Sequence, residues 1–165
     1  MNNKIRIDRH NQDSTNSYNP ELFITAFTDA SYCPHTKAWG VGIWIKDALF
    51  DEGKPQVLSR GGIGLANSVL AEAKGLEIAA STILEKHNVQ GRVIILQCDC
   101  SGALQKFDIS ALMLAGAQYV KLKHVKGHSG QQTKRSYVNN LCDAKAGRKM
   151  AKYRSQVKQQ EQQHA

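Results

Sequence analysis

Hydrophobic and polar positions follow two distinct periods along this 165-residue chain. Residues 1–20 are polar and aperiodic and read as a loose N-terminal tail. Residues 22–29 (LFITAFTD), 38–46 (AWGVGIWIK) and 56–63 (QVLSRGGI) predict three strands. The loops between them are short enough for an antiparallel meander. From Ser68 to His87 the period becomes helical. Val69, Leu70, Ala73, Leu76, Ala80, Ile83 and Leu84 recur at three and four, with Asn67 or Ser68 as N-cap and Asn88 and Gly91 beyond the end. Residues 92–98 (RVIILQC) form a continuous apolar run, the pattern of a central strand covered on both faces. Two short helices are expected at 101–107 and 110–117, and a strand at 119–125. A last helix begins near Ser136, with Val138, Cys142, Ala146, Met150, Tyr153 and Val157 as its buried stripe. Residues 156–165 read as a frayed C-terminal tail.

Three strands followed by alternating helices and strands imply an α/β domain over residues 21–155. Its sheet is five-stranded and mixed, with an antiparallel meander joined to parallel strands, and is flanked by helices. With 41% hydrophobic and 22% charged residues, the chain can bury a core, which excludes wholesale disorder. No apolar stretch is long enough to span a bilayer, and the N-terminus lacks the apolar segment of a secretory signal. The four cysteines (Cys33, Cys98, Cys100 and Cys142) are then expected to be reduced thiols in a cytoplasmic protein.

Charge changes this picture. Ten basic residues and one acid, Asp143, lie between Lys123 and Lys158, a local charge of +9. The other twelve basic and thirteen acidic residues leave −1 for the rest of the chain. A basic segment beside a near-neutral body suggests a polyanionic partner, although a solvated basic helix has the same composition.

Acids supply the candidate chemistry. Asp29 and Asp99 each follow an apolar run, where a strand leaves the sheet. On adjacent parallel strands both would emerge at the edge where α/β sheets bind ligands. Either alone could be a turn former or a helix cap. Glu72 lies early in the first long helix, beside its apolar stripe, and Asp143 directly follows Cys142 in the last. Four converging carboxylates need a counter-charge, and hard oxygen donors suit Mg²⁺ or Mn²⁺. Two such ions can clamp the attacking and leaving oxygens of a phosphodiester displacement. Zinc is disfavoured, because Cys98-Asp99-Cys100 has C-x-C spacing and no second pair completes a site. No serine-hydrolase elbow or phosphate-binding P-loop occurs.

These segments resemble type 1 ribonuclease H. FTDAS (27–31) is similar to the first-strand motif of that family, LAEAKGLEIA (70–79) to its helix motif, and LQCDCSGAL (96–104) to the segment bearing the third acid. HVKGHSG (124–130) resembles the VKGH loop and NNLCDAKAGR (139–148) the N-x-x-C-D segment. The resemblance runs from about Leu22 to about Lys152. It implies the ribonuclease H-like fold and Mg²⁺-dependent endonucleolytic cleavage of the RNA strand of an RNA–DNA hybrid, leaving 5′-phosphate and 3′-hydroxyl ends. By that analogy Asp29 would bridge two metal ions. Glu72 and Asp99 would complete the leaving-group site and Asp143 the water site, while His128 would assist proton transfer or product release.

The long basic insertion that many members carry before the histidine loop is missing, so the final helix is expected to substitute for it. Ser31, Asn67, Ser101, Lys126, Asn139, Lys145, Arg148, Lys149 and Lys152 are the expected nucleic-acid contacts. No organic cofactor, no membrane and a monomeric state are expected. Two other readings of the same fold stay open: a non-catalytic nucleic-acid-binding module, and a DNA nuclease such as a resolvase.

Overall fold

The computed structural model describes residues 19–126 and 134–165. Five strands form one sheet: β1 (Phe23–Tyr32), β2 (Ala38–Asp47), β3 (Gln56–Ile63), β4 (Val93–Cys98) and β5 (Tyr119–His124). Their spatial order is β3-β2-β1-β4-β5. β1 pairs antiparallel with β2, and β2 with β3; β4 runs parallel to both β1 and β5. The helices are α1 (Ser68–Lys86), α2 (Ser101–Lys106), α3 (Ser110–Leu114) and α4 (Lys134–Gln163). This is the mixed five-stranded sheet that the hydrophobic pattern predicts. No helix among the described residues is long and apolar enough to cross a membrane.

α1 starts where Asn67 caps it, its side chain accepting the Leu70 N–H at 2.9 Å. The buried face of α1 is Ala71, Gly75, Leu76, Ala79, Ala80 and Ile83, and Leu70, placed in the stripe by periodicity, is 41% exposed. Small residues dominate this face because α1 lies close to the sheet. A Cβ on Gly75 would already be in contact with Thr28 and Val41. Beneath it Ile24, Ala26, Val41, Ile43, Ile94 and Leu96 are fully buried and form the main core.

Among the described residues, the other sheet face is covered by α4 alone, which packs on β1, β2 and β3. Its approach depends on bare backbone in β2. A Cβ at Gly42 would sit 2.1 Å from the Cys142 carbonyl oxygen, and one at Gly40 would sit 2.2 Å from that of Ala146. Both obstacles are helix backbone, which cannot rotate away. Gly42→Ala is therefore expected to push α4 off the sheet and to cost about 3 kcal/mol, at the upper end of overpacking penalties. Urea unfolding checks this, and a loss below about 1 kcal/mol would show that the helix seat adjusts.

Three elements depart from the sequence reading. β1 continues past Asp29 to Tyr32, because β2 supplies a partner for every residue up to the Tyr32–Trp39 pair. β4 is covered on one face only: Ile94, Leu96 and Cys98 are buried, whereas Val93, Ile95 and Gln97 are half-exposed. α4 has 30 residues, ~45 Å of helix, and includes residues 156–163 of the expected frayed tail.

The sheet edge remote from Asp29 holds a buried polar cluster. Asp47, at the end of β2, accepts from Arg92 Nη2 at 2.6 Å and meets His87 Nδ1 at 2.9 Å. Arg92 also donates to the Phe23 carbonyl, and His87 Nε2 lies 2.9 Å from Gln56 Oε1. The cluster ties the ends of β2 and α1 to the starts of β1, β3 and β4.

Candidate active site

Parallel pairing decides where the acids emerge. Phe27 is opposite Gln97 in the β1–β4 register, so Asp29 and Asp99, each two residues further on, leave at the same edge. Glu72 is the fifth residue of α1 and follows the fully buried Ala71. That places its carboxylate over the strand ends. Ligand oxygens of Asp29, Glu72 and Asp99 lie within 4.8 Å of one another. Among the described residues no other group of three or more His, Cys, Asp or Glu side chains converges in this way.

One backbone donor serves two of these acids. The Ala30 N–H points at Asp29 Oδ1 at 2.9 Å and at Glu72 Oε1 at 3.3 Å. Glu72 Oε2 is buried and has no hydrogen-bond partner among the described residues. Burial first, and then the charges of Asp29 and Asp99, push the Glu72 carboxyl up to about 8, against the smaller pull of the Ala30 N–H. A buried carboxylate oxygen among like charges is suited to binding a cation. Three hard oxygen donors at this spacing fit Mg²⁺ or Mn²⁺.

The neighbouring thiols are not part of such a site. Cys98 and Cys142 are fully buried. Burial, helped by the nearby carboxylates, pushes both up to about 12, so they pack as neutral small groups. Cys33 and Cys100 are half-buried free thiols.

The other expected site residues divide. Asp143 is exposed and does not join the group of three. It nevertheless follows Cys142, whose backbone lies on Gly42, the register partner of Asp29. Ser31 is half-buried two residues beyond Asp29, and Ser101 is exposed two residues beyond Asp99. Asn139 is buried on α4, Lys126 is exposed, and the Asn67 side chain is engaged in capping α1. His128 lies outside the described residues.

The basic residues of α4 take a definite side. At roughly 100° per residue, Lys145, Arg148, Lys149 and Lys152 lie on one flank of Cys142 and Asp143 on the other. Two contacts identify the flanks. Val138, on the lysine flank, lines a cleft with Trp44 and Lys46. Arg154, on the Asp143 flank, is near enough to Cys33, just past the end of β1, for its charge to act on that thiol. There hydrogen bonds from Thr36 hold the Cys33 thiol below its usual range and Arg154 adds a smaller pull.

His124 is a further residue at the site that sequence reasoning passed over. Its Nε2–H donates to the Asp99 carbonyl at 3.0 Å, which fixes the turn that carries the third acid. The available signal was its place near the end of the strand expected over 119–125.

No family profile and no curated protein matches the chain in sequence. Solved structures do match in shape. LC11-RNase H1, obtained from compost by a metagenomic approach and solved with an RNA/DNA hybrid, superposes with a TM-score of 0.57 at 14% identity. The match covers 78% of this chain and 97% of that one. The N-terminal RNase H domain of rv2228c from Mycobacterium tuberculosis gives 0.58 at 13% identity, covering 82% and 99%. RNase H1 from the halophilic archaeon Halobacterium salinarum gives 0.54 at 17% identity, covering 79% and 98%. Strand order, crossover pattern and these superpositions agree: the chain has the type 1 ribonuclease H fold.

Proposed function

We propose that this protein is a metal-dependent endoribonuclease that hydrolyses the RNA strand of RNA–DNA hybrids, leaving 5′-phosphate and 3′-hydroxyl ends. The observation that carries this reading is the buried Glu72 oxygen, unpartnered among the described residues, within an acid trio at the sheet edge. The solved hybrid complex of LC11-RNase H1, which shares the fold, supports the choice of substrate.

Asp29, Glu72 and Asp99 would hold one ion, and Asp143 of α4 would complete a second site with Asp29. When bound, Mg²⁺ or Mn²⁺ supplies Lewis-acid charge for activating water and stabilising the leaving oxygen. The chain's own groups do the positioning. Ala30 N–H orients two carboxylates, and His124 secures the Asp99 turn. Ser31 and Ser101 flank the acids, where hydroxyls can read a 2′-hydroxyl. His128 would move protons or aid product release. The enzyme would act in the cytoplasm as a monomer.

Substrate choice is tested by comparing cleavage of hybrid, duplex DNA and duplex RNA of one sequence in Mg²⁺. Only the hybrid is expected to be cut, in its RNA strand. Cleavage of duplex DNA instead would reassign the site to a DNA nuclease, and binding without turnover would make the fold a recognition module. Charge reversal at Lys145, Arg148, Lys149 and Lys152 is expected to weaken hybrid binding about 10-fold or more, and to flatten its salt dependence by roughly one unit per lost phosphate contact. Because the stripe lies on the flank away from Asp143, turnover at saturating substrate should change little. An unchanged salt slope would remove α4 from the footprint.

A further inference from the structure

Among the described residues, α4 leaves half of this sheet face uncovered, and the composition there is not one that its position requires. On this face Lys46, Thr25, Ile95 and Lys121 lie in one register row across β2, β1, β4 and β5. The next row toward the acid edge is Trp44, Phe27, Gln97 and Lys123. These eight positions hold three lysines and no carboxylate. Lys46 and Lys121 are exposed, Trp44, Ile95 and Gln97 are half-exposed, and Phe27 forms a buried floor. A cleft of about 320 Å³ opens over the second row, closed on one side by Val138 of α4. The basic flank of α4 borders the same face.

We infer that this open sheet face is a binding surface for single-stranded nucleic acid, separate from the acid edge. Charge complementarity selects a polyanion, since lysines end the first row on both sides and stand roughly 14 Å apart across three strand spacings. The apolar floor selects the kind of polyanion. A duplex turns phosphates outward and would leave Trp44, Phe27 and Ile95 uncovered. A single strand offers base faces to an aromatic ring and phosphates to flanking lysines, the combination single-strand binders use. Trp44 stacks a base at the cleft mouth, Gln97 and Thr25 supply polar contacts, and Lys46 and Lys121 track the backbone. Such a surface would hold an unpaired flank of a longer nucleic acid while the acid edge faces the paired part.

The inference does not rest on catalysis, because binding is measured in chelator. A labelled oligothymidine is titrated into the full chain, read by anisotropy and by quenching of tryptophan fluorescence. Trp39 is 8% exposed in the core, so quenching reports Trp44. Binding with quenching is expected. The double variant Lys46→Gln/Lys121→Gln, altered only at exposed positions, should bind at least ~5-fold more weakly, with a salt slope lower by about 1.4 for two lost contacts. Trp44→Leu should weaken binding ~10-fold and abolish the quench. Hybrid cleavage by the double lysine variant should stay within about twofold. Unchanged affinity in that variant, or binding without quenching, overturns the inference. Equal competition by polyglutamate also overturns it, by showing a docking surface for acidic protein segments.

Discussion

Asp29→Asn is expected to reduce hybrid cleavage by at least ~10³-fold, about 4 kcal/mol of barrier, while raising the melting temperature of the metal-free protein. The two effects share one cause. Asp29 is 6% exposed and its carboxylate stands within 4.8 Å of those of Glu72 and Asp99. A purely structural acid would lower stability when neutralised; one held among like charges to bind a cation should raise it. Glu72 reports the same tension. Burial, then Asp29 and Asp99, lift its carboxyl to about 8, above its usual value of 4.5. The folded metal-free chain therefore holds a proton that the unfolded chain releases, and its stability falls as pH rises from about 4.5 through about 8. In Asp29→Asn this decline should shrink without vanishing, because burial remains the larger cause. Saturating Mg²⁺ should reverse it in the wild type. Thermal unfolding at pH 6 and pH 8, with chelator and with Mg²⁺, gives the four values needed. Wild-type cleavage by the variant, or a lower melting temperature in chelator, would refute the cation-site reading.

Asp47→Ala is expected to be the most destabilising change far from the site, costing about 3–5 kcal/mol. The Asp47 side chain is 2% exposed, and its partners Arg92 and His87 are 7% and 1% exposed. Removing the carboxylate leaves the Arg92 charge buried without its counter-ion. Asp47→Asn should be milder, since an amide still accepts one hydrogen bond. Burial alone would raise the Asp47 carboxyl, but hydrogen bonds from Arg92 and His87 outweigh it and bring it below its usual 3.8. Its contribution is thus present above the unfolded carboxylate range and lost as pH falls through the lowered folded value. The acid limb of the stability profile should flatten in both variants. A urea-unfolding loss under about 1 kcal/mol for Asp47→Ala would show that Arg92 finds another partner or water.

Strand and helix order was legible because each element has one dominant period. β3 and the start of α1 coincide with the predicted bounds at Gln56–Ile63 and Ser68. The acids were legible as residues placed just beyond apolar runs. Less visible was the cover on each face. An apolar run such as 93–96 fits a strand buried on both sides, yet α4 packs mainly on β1, β2 and β3, and alternate residues of β4 are half-exposed. Nor could a one-dimensional pattern show that Gly40 and Gly42 seat that helix. The Asp47–His87–Arg92 cluster was hidden because Asp47 lies 40 residues from His87 and 45 from Arg92.

Local patterning by itself determined the five strands, the long helices and the candidate acids, since period and capping act over a few residues. Only the tertiary structure decided that the carboxylates of Asp29, Glu72 and Asp99 converge, that Asp143 stays exposed on a separate helix outside that group, and that Val138 of α4 borders the cleft over Trp44 and Phe27. Those outcomes depend on strand register and on where one helix crosses the sheet. Contacts between residues distant in the chain set both, and no local period encodes them.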